Sequence, residues 1–174
     1  MDREIEVKFL LRDQAPLLRK IAELGLTCVQ KRVYEKNLRF DLPDGQLVSR
    51  KQVLRLRKDN QSRLTFKGPG VLEEDVLLRQ EIEVVVSDFE GTKRLLEALG
   101  YQVVMMYEKY RANYQMDSLV ISVDELPFGL FVELEGESPA KLRQAAGIFG
   151  FDWDARINLS YSALLNTFNQ NTGL

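Results

Sequence analysis

Charged and apolar side chains alternate without interruption in E-I-E-V-K-F, residues 4–9 of the chain. Successive side chains of a β-strand point to opposite faces of the sheet, so Glu4, Glu6 and Lys8 share one face of a predicted strand. The tetrapeptide E-I-E-V returns at residues 81–84, where Glu81 and Glu83 again share a face. The repeat therefore predicts two strands with paired carboxylates, and the rest of the sequence has to show what those carboxylates meet.

The repeat belongs to a longer echo within the chain. Each copy of E-I-E-V precedes a predicted helix that ends in Leu-Gly, at 24–25 and at 99–100, and then a strand that reaches Tyr-Glu-Lys, at 34–36 and at 107–109. Short strands resemble one another by chance, and that is one interpretation of the echo. The other, which the similar spacing favours, is two related strand-helix-strand halves that each supply a pair of glutamates to one sheet system.

Alternation with a period of two residues recurs along the whole chain. It predicts strands over 3–11, 28–40, 52–58, 62–67, 78–86, 101–115, 118–125 and 130–136. Amphipathic helices are predicted over 14–24, 88–99, 139–150 and 160–169, and Gly25 and Gly100 are placed to end the first two. No linker-like segment divides the sequence, so we expect an α+β fold in a single domain over residues 1–174.

The composition is that of a globular protein and excludes several classes. Of the 174 residues 45% are apolar and 29% are charged, and the net charge of −2 gives no bulk attraction to nucleic acid or to an anionic membrane. No apolar stretch approaches the length of a membrane span, the N-terminus lacks the apolar segment of a signal peptide, and one cysteine, Cys28, excludes an internal disulfide. We therefore expect a cytoplasmic protein, and we expect it to be monomeric or homodimeric.

The sequence contains no histidine. Histidine is the commonest transition-metal ligand and the commonest general base near neutral pH, so Ser-His and Cys-His nucleophilic machinery is excluded. Any metal in this protein has to be bound by oxygen atoms. Oxygen ligands favour a hard cation such as magnesium, manganese or calcium.

The charged face of the predicted sheet is rich in arginine, lysine and glutamate. One interpretation is an ordinary antiparallel sheet with its polar face in water. The other is a barrel of about eight strands that encloses the charged face, with Leu54, Leu56, Phe66 and Ile82 covered by helices on the outside. Acids on some strands and bases on others are what a site for a metal ion and a polyphosphate requires, because buried charges are costly unless they are paired or bound.

Taken in order, the motifs resemble the CYTH superfamily, also called the triphosphate tunnel metalloenzymes. The matching pieces are E-I-E-V-K at 4–8, L-R-L-R at 54–57, L-T-F-K-G-P at 64–69, R-x-E-x-E at 79–83, E-K-Y-R at 108–111, Asp124, E-L-E at 133–135 and S-Y at 160–161. The first motif alone is weak, since alternating strands produce it often, but the ordered set covers nearly the whole chain.

The resemblance implies an eight-stranded antiparallel β-barrel that forms a tunnel with a charged interior, flanked by about four helices. The implied triphosphate-binding residues are Lys8, Arg55, Arg57, Lys67, Arg79, Lys109 and Arg111. The implied ligands for magnesium or manganese are Glu4, Glu6, Asp124, Glu133 and Glu135. Glu81 and Glu83 match the family as well, either as further ligands or as ion-pair partners that orient the basic residues. Ser160 and Tyr161 are interpreted as a helix cap and a packing aromatic residue.

Three functions are compatible with this resemblance. The first is metal-dependent hydrolysis of inorganic triphosphate, thiamine triphosphate or a nucleoside triphosphate, with a water held by a metal or by Glu4 or Glu6, or with Lys67 or Lys109 as the base. The second is a class IV adenylyl cyclase that converts ATP to cyclic AMP and pyrophosphate. The cyclase branch often carries a His-Phe pair before E-x-E-x-K, and that pair is missing here. The third is a polyphosphate- or nucleotide-binding protein without turnover.

Overall fold

The computed structural model describes residues 3–172 as nine strands, five α-helices and one turn of 3-10 helix. The strands are β1 (Arg3–Leu11), β2 (Thr27–Asp41), β3 (Val53–Lys58), β4 (Ser62–Lys67), β5 (Val71–Glu73), β6 (Val76–Val86), β7 (Gln102–Met116), β8 (Leu119–Leu126) and β9 (Gly129–Glu135). The helices are α1 (Ala15–Glu23), α2 (Gln46–Ser49), α3 (Phe89–Ala98), α4 (Pro139–Ile148) and α5 (Tyr161–Thr172), and the 3-10 turn is Trp153–Ala155. None of the helices in this described part is long and apolar enough to cross a membrane.

The strands form a single sheet in the order β1-β9-β8-β7-β2-β3-β4-β6-β5, and a further pairing joins β1 to β6. Eight strands therefore close into a ring, and the short β5 lies beside β6 outside it. The pairs β1–β9, β2–β3, β3–β4, β4–β6, β7–β8 and β8–β9 are all antiparallel. The predicted α+β class with an eight-stranded antiparallel ring is confirmed, and the two copies of E-I-E-V lie on the strands whose pairing closes it.

The four predicted helices are present, and the C-terminal ends of α1 and α3 follow the local chemistry that the sequence indicated. Gly25 and Gly100 have φ angles of 70° and 95°, a region that glycine enters without strain, and they follow the C-terminal turns of α1 and α3. The hydroxyl of Ser138 accepts a hydrogen bond from the Lys141 amide at the start of α4. The short α2 and β5 were not predicted, because elements of three or four residues leave too short a pattern to recognise.

One compact unit contains Glu4, Val33–Val71 and Leu78–Glu108. Its apolar core lies between α3 and the sheet, where Phe89 and Leu96 pack with Leu38, Phe40 and Leu56. Leu54 packs against this cluster too, so the prediction that Leu54 and Leu56 lie beneath a helix is confirmed. The same prediction is wrong for Ile82, which is 49% exposed, because α3 has only ten residues and covers β2 and β3 instead.

The second compact unit contains Ile5–Arg32, Leu72–Leu77 and the residues from Lys109 onward. Its core includes the inner apolar residues of β8 and β9, among them Ile121 and Leu134, which are fully buried. The buried face of α4 packs against β9. Aromatic rings extend this core, with Phe9 stacked on Phe151 at a centroid distance of 4.9 Å.

Candidate active site

Four strands of the second unit carry a cluster of buried charges that we call the Asp124 cluster. It consists of Lys8 on β1, Lys109 and Arg111 on β7, Asp124 on β8 and Glu133 on β9. Strand register produces it, because Lys8 lies opposite Glu133 and Arg111 lies opposite Asp124. Both lysines are 3% exposed and Asp124 is fully buried.

Every charge in the Asp124 cluster has an opposite charge in contact. The ammonium of Lys8 lies 2.7 Å from Oε1 of Glu133, and the ammonium of Lys109 lies 3.1 Å from Oδ2 of Asp124. Arg111 donates to both oxygens of Asp124, at 2.6 and 2.5 Å, and to Oε2 of Glu133. Such charge-assisted, two-pronged contacts are the strong ones, so these side chains hold fixed positions.

Tyr161, at the start of α5, completes the Asp124 cluster. Its hydroxyl donates a hydrogen bond of 2.6 Å to Oδ2 of Asp124. The ammonium groups of Lys8 and Lys109 lie 4.6 and 4.8 Å from the centre of its ring, within the range of a cation–π contact. The sequence interpretation of Tyr161 as a packing aromatic is therefore incomplete, because the residue also contacts three charged members of the cluster.

The cluster shifts the pKa values of its members. Burial alone would raise the pKa of Glu133, but Lys8, Arg111 and Lys109 outweigh burial and hold it well below the usual value. Burial alone would lower the pKa of Lys8, but Glu133, Glu6 and Asp124 raise it. Burial, together with Glu133 and Asp124, raises the pKa of the Tyr161 phenol well above 10.0. Lys8 and Glu133 therefore stay ionised and Tyr161 stays a neutral donor near neutral pH.

A second group of charges, which we call the Lys67 cluster, lies in the other unit. The ammonium of Lys67 is 2.5 Å from Oε1 of Glu4 and 3.0 Å from Oε2 of Glu81. Nε of Arg79 is 2.9 Å from Oε2 of Glu4. Lys67 and Glu4 are buried, at 6% and 8% exposure. The two copies of the E-I-E-V repeat thus meet here, because each contributes a carboxylate to the same lysine.

The same unit contains a third group, the Glu83 cluster, made of Glu83, Thr65 and the arginines at 55, 57 and 63. The oxygens of Glu83 lie 3.8 Å from Arg55, 3.4 Å from Arg57 and 3.5 Å from Arg63. The Thr65 hydroxyl donates a hydrogen bond of 2.9 Å to Oε2 of Glu83. Thr65 on β4 lies opposite Arg55 on β3 and opposite Glu83 on β6, and Arg63 lies opposite Arg57, so these side chains share one face of the sheet.

The structure thus places most of the predicted site residues in three clusters. Two predicted ligands, Glu6 and Glu135, lie opposite each other on β1 and β9. Glu6 approaches the Lys8 ammonium at 4.0 Å, whereas Glu135 is exposed. Sequence reasoning did not include Arg63, although the parity of β4 put it on the charged face. It also could not connect Tyr161 with Asp124, because α5 is distant from β8 in the chain.

The carboxylates fit a hard divalent cation by their chemistry, since they supply only oxygen atoms. Among the described residues, however, no group of three or more carboxylate, cysteine or histidine side chains converges as a ready metal site. Glu4, Asp124 and Glu133 accept instead from lysine and arginine. Metal binding by these residues would require the cations to exchange partners, as they would on binding a polyanion.

A model of the CYTH domain matches residues 2–151. The chain belongs to the CYTH domain family. A relative from Methanocaldococcus jannaschii, named "Putative adenylate cyclase", is 28% identical over 134 residues, which span 76% of this chain and 75% of that protein.

Solved structures of similar proteins support the same fold. The crystal structure of a "putative adenylate cyclase" from Vibrio parahaemolyticus has a TM-score of 0.83 at 21% identity and covers 94% of this CYTH chain and 97% of that chain. A protein from Hippeastrum, described as a "putative adenylyl cyclase" with a dominant triphosphatase activity, has a TM-score of 0.69 at 21% identity and covers 94% of this chain and 95% of that chain.

Proposed function

We propose that this CYTH protein hydrolyses a triphosphate with the help of a divalent metal ion. The observation that carries the proposal is the burial of Lys8, Lys67 and Lys109, which are 3%, 6% and 3% exposed and whose partners are carboxylates. Buried ion pairs of this kind seldom stabilise a fold more than apolar side chains of similar volume would. Their presence on the polar faces of both units supports a role in binding a highly charged anion.

Each cation has a specific task in this proposal. Arg55, Arg57, Arg79 and Arg111 bind phosphate oxygens through two N–H groups each, whereas the three buried lysines act as point charges. The phosphate oxygens take the place of the carboxylates that hold these cations in the unliganded protein. Positioning and charge neutralisation supply most of the catalysis in phosphoryl transfer, so such a binding surface is itself the main catalytic device.

The released carboxylates are the residues that would hold the metal: Glu4, Glu6, Asp124, Glu133 and Glu135. A magnesium or manganese ion bound there would withdraw charge from the phosphate oxygens and favour departure of the leaving group. Within the chain, we assign Glu4 or Glu6 to orienting the attacking water. Lys67 and Lys109 bind phosphate in the ground state and are the remaining candidates for proton transfer.

We prefer hydrolysis to cyclisation because the Hippeastrum protein is described as having a dominant triphosphatase activity. Cyclisation of ATP is the second candidate, because the relative from Methanocaldococcus jannaschii carries the name of an adenylate cyclase. The two reactions differ in the nucleophile, which is water for hydrolysis and the 3′-hydroxyl of the substrate for cyclisation.

One experiment separates these functions. Purified protein is incubated with tripolyphosphate, thiamine triphosphate or ATP and with magnesium or manganese, and orthophosphate, pyrophosphate and cyclic AMP are measured. We expect orthophosphate from at least one substrate and no product after the metal is chelated. The double variant Glu133→Gln and Glu135→Gln should need much more metal, whereas Glu97→Gln on the surface of α3 should not. Cyclic AMP as the main product would identify a cyclase, and binding without any product would contradict the proposal of an enzyme.

A further inference from the structure

Glu83 stands at the centre of three arginines and holds each of them at long range. Its distances to Arg55, Arg57 and Arg63 are 3.8, 3.4 and 3.5 Å. Charge-assisted hydrogen bonds from guanidinium to carboxylate are normally 2.7–2.9 Å long. One carboxylate has too few well-directed oxygens to satisfy three forks at once, so its contacts with the arginines stay loose.

Asp124 shows what a tightly held carboxylate looks like in the unliganded protein. Asp124 is fully buried and accepts four hydrogen bonds of 2.5–3.1 Å from Lys109, Arg111 and Tyr161. The side chain of Glu83 is 31% exposed, and its single close contact is the 2.9 Å bond from Thr65. Glu83 is thus accessible to solvent and is the more readily displaced of the two.

The surroundings of the three arginines contain unsatisfied polar atoms. Asn37 is fully buried and lies in register opposite Arg57, yet neither its amide nitrogen nor its amide oxygen has a hydrogen-bond partner. Nε of Arg55 is also buried without a hydrogen bond. Buried polar groups normally have partners, so these atoms point to a group that completes the site when it binds.

Arg63 is held in place independently of Glu83. Its Nη1 donates to both oxygens of Asp59, at 2.9 and 2.7 Å, and its Nη2 donates to the side chain of Gln61 at 2.9 Å. Its Nε faces Glu83, and this N–H group is the one that another anion can bind. The guanidinium is therefore preorganised, which lowers the cost of binding.

We propose that Arg55, Arg57 and Arg63 form a phosphate subsite, which the carboxylate of Glu83 occupies in the unliganded protein and a phosphate group of the substrate displaces. The inference rests on the proposed function for the class of ligand, and it adds Arg63 as a third phosphate-binding arginine and Glu83 as an internal competitor. A phosphate group has three oxygens and up to two negative charges, so it satisfies three guanidinium groups better than one carboxylate does. A ligand has to displace the carboxylate of Glu83 to bind the arginines. Ligands with a single negative charge are therefore disfavoured.

The alternative role for Glu83 is to align the arginines for the ligand, and the two roles predict opposite signs. A residue that aligns the arginines strengthens binding, so its loss weakens the complex. A competitor weakens binding, so its loss tightens the complex. The variant Glu83→Gln separates them, since glutamine keeps the size and the bond from Thr65 but has no charge.

The test is calorimetric binding of tripolyphosphate without metal. We expect Glu83→Gln to bind about tenfold more tightly, and Arg63→Ala to bind about tenfold more weakly with partial recovery in Arg63→Lys, because lysine restores the charge but not the fork. The matched control Arg94→Ala, on the exposed face of α3, should bind as the unaltered protein does. Weaker or unchanged binding by Glu83→Gln would overturn the role of competitor, and unchanged binding by Arg63→Ala would remove Arg63 from the subsite.

If Glu83→Gln is too unstable for calorimetry, its thermal melting temperature tests the same inference. Loss of the carboxylate leaves the arginines to repel one another, so we expect a lower melting temperature in buffer without phosphate. Tripolyphosphate should then raise the melting temperature of this variant more than that of the unaltered protein, and an equal or smaller rise would contradict the inference. Failure of the proposed function gives a different result, namely the expected changes in tripolyphosphate binding by these variants with no hydrolysis of any triphosphate by the unaltered protein.

Discussion

At the scale of single residues, this protein uses carboxylates in two ways. Asp124 and Glu133 are buried, at 0% and 8% exposure, and their contacts with cations are short. Glu83 is more exposed, and its contacts with arginine are long. Tight pairs fix the positions of lysine and arginine side chains, whereas loose pairs leave the cations ready for another anion. The distinction gives different expectations for otherwise similar substitutions.

Asp124→Asn should be among the most destabilising conservative changes in the chain. The substitution removes the negative charge that pairs with Lys109, which is 3% exposed. Removing one partner of a buried ion pair costs about 3–5 kcal/mol of folding free energy, and denaturant titration measures it. Asp154→Asn, at a side chain that is 93% exposed, is the control and should change stability very little. A loss below about 1 kcal/mol for Asp124→Asn would mean that Asp124 does not neutralise this cluster.

Tyr161→Phe tests the contact that sequence analysis missed. Phenylalanine keeps the ring beside Lys8 and Lys109 but removes the donor to Asp124. We expect a loss of stability of about 1 kcal/mol, typical of a single hydrogen bond, and weaker binding of tripolyphosphate as Asp124 becomes less well oriented. Tyr101→Phe is the control: it removes a tyrosine hydroxyl from a side chain that packs against the apolar core beneath α3. If only stability changes, Tyr161 supports the fold rather than the site.

At the scale of secondary structure, alternation predicted the strands well because one face of each strand is charged and the other apolar. The same parity predicted which charges share a face, and the observed register then brings Lys8 opposite Glu133 and Arg55 opposite Thr65. It failed for Ile82, since a pattern within one strand does not show which part of a sheet a helix covers.

The candidate site was predictable where it depends on strands and unpredictable where it depends on distant packing. The residues of the Lys67 cluster all come from strand motifs visible in the sequence. Tyr161 comes from a helix, and its hydrogen bond to Asp124 depends on how α5 packs, which no local pattern encodes. The ion pairs within each cluster are likewise a property of the folded state.

At the scale of the whole molecule, the chain has 24 basic and 26 acidic residues, and each of the buried lysines Lys8, Lys67 and Lys109 lies against a carboxylate. Such a protein depends on its carboxylates staying ionised. The pKa of Glu133 is held below its usual value of 4.5 in the folded state. Because that pKa is depressed, the pairing of Glu133 contributes stability above about pH 4.5, and the contribution is lost as the pH falls through the folded-state pKa.

We therefore expect the free energy of unfolding to fall as the pH drops below about 4.5, by up to about 1.4 kcal/mol per pH unit for each such group. Glu133→Gln should be less stable than the unaltered protein at neutral pH and should lose less stability on acidification, because one linked proton is gone. Denaturant titrations between pH 3 and pH 7 measure both slopes, with Glu97→Gln as the control. Equal slopes in Glu133→Gln and the unaltered protein would show that another group governs acid unfolding.

The partners of Lys8 have a consequence for how the chain is made. Its side chain contacts Glu133 and the ring of Tyr161, and its carbonyl oxygen accepts a hydrogen bond from the amide of Ile157. The ribosome synthesises β1 long before it synthesises β9, the segment around Ile157 and α5. Until then β1 has no strand from the other end of the chain to pair with, and its glutamates and lysine remain in water. Contacts between such distant segments slow folding, so we expect the native state to form only after β9 and α5 have been synthesised.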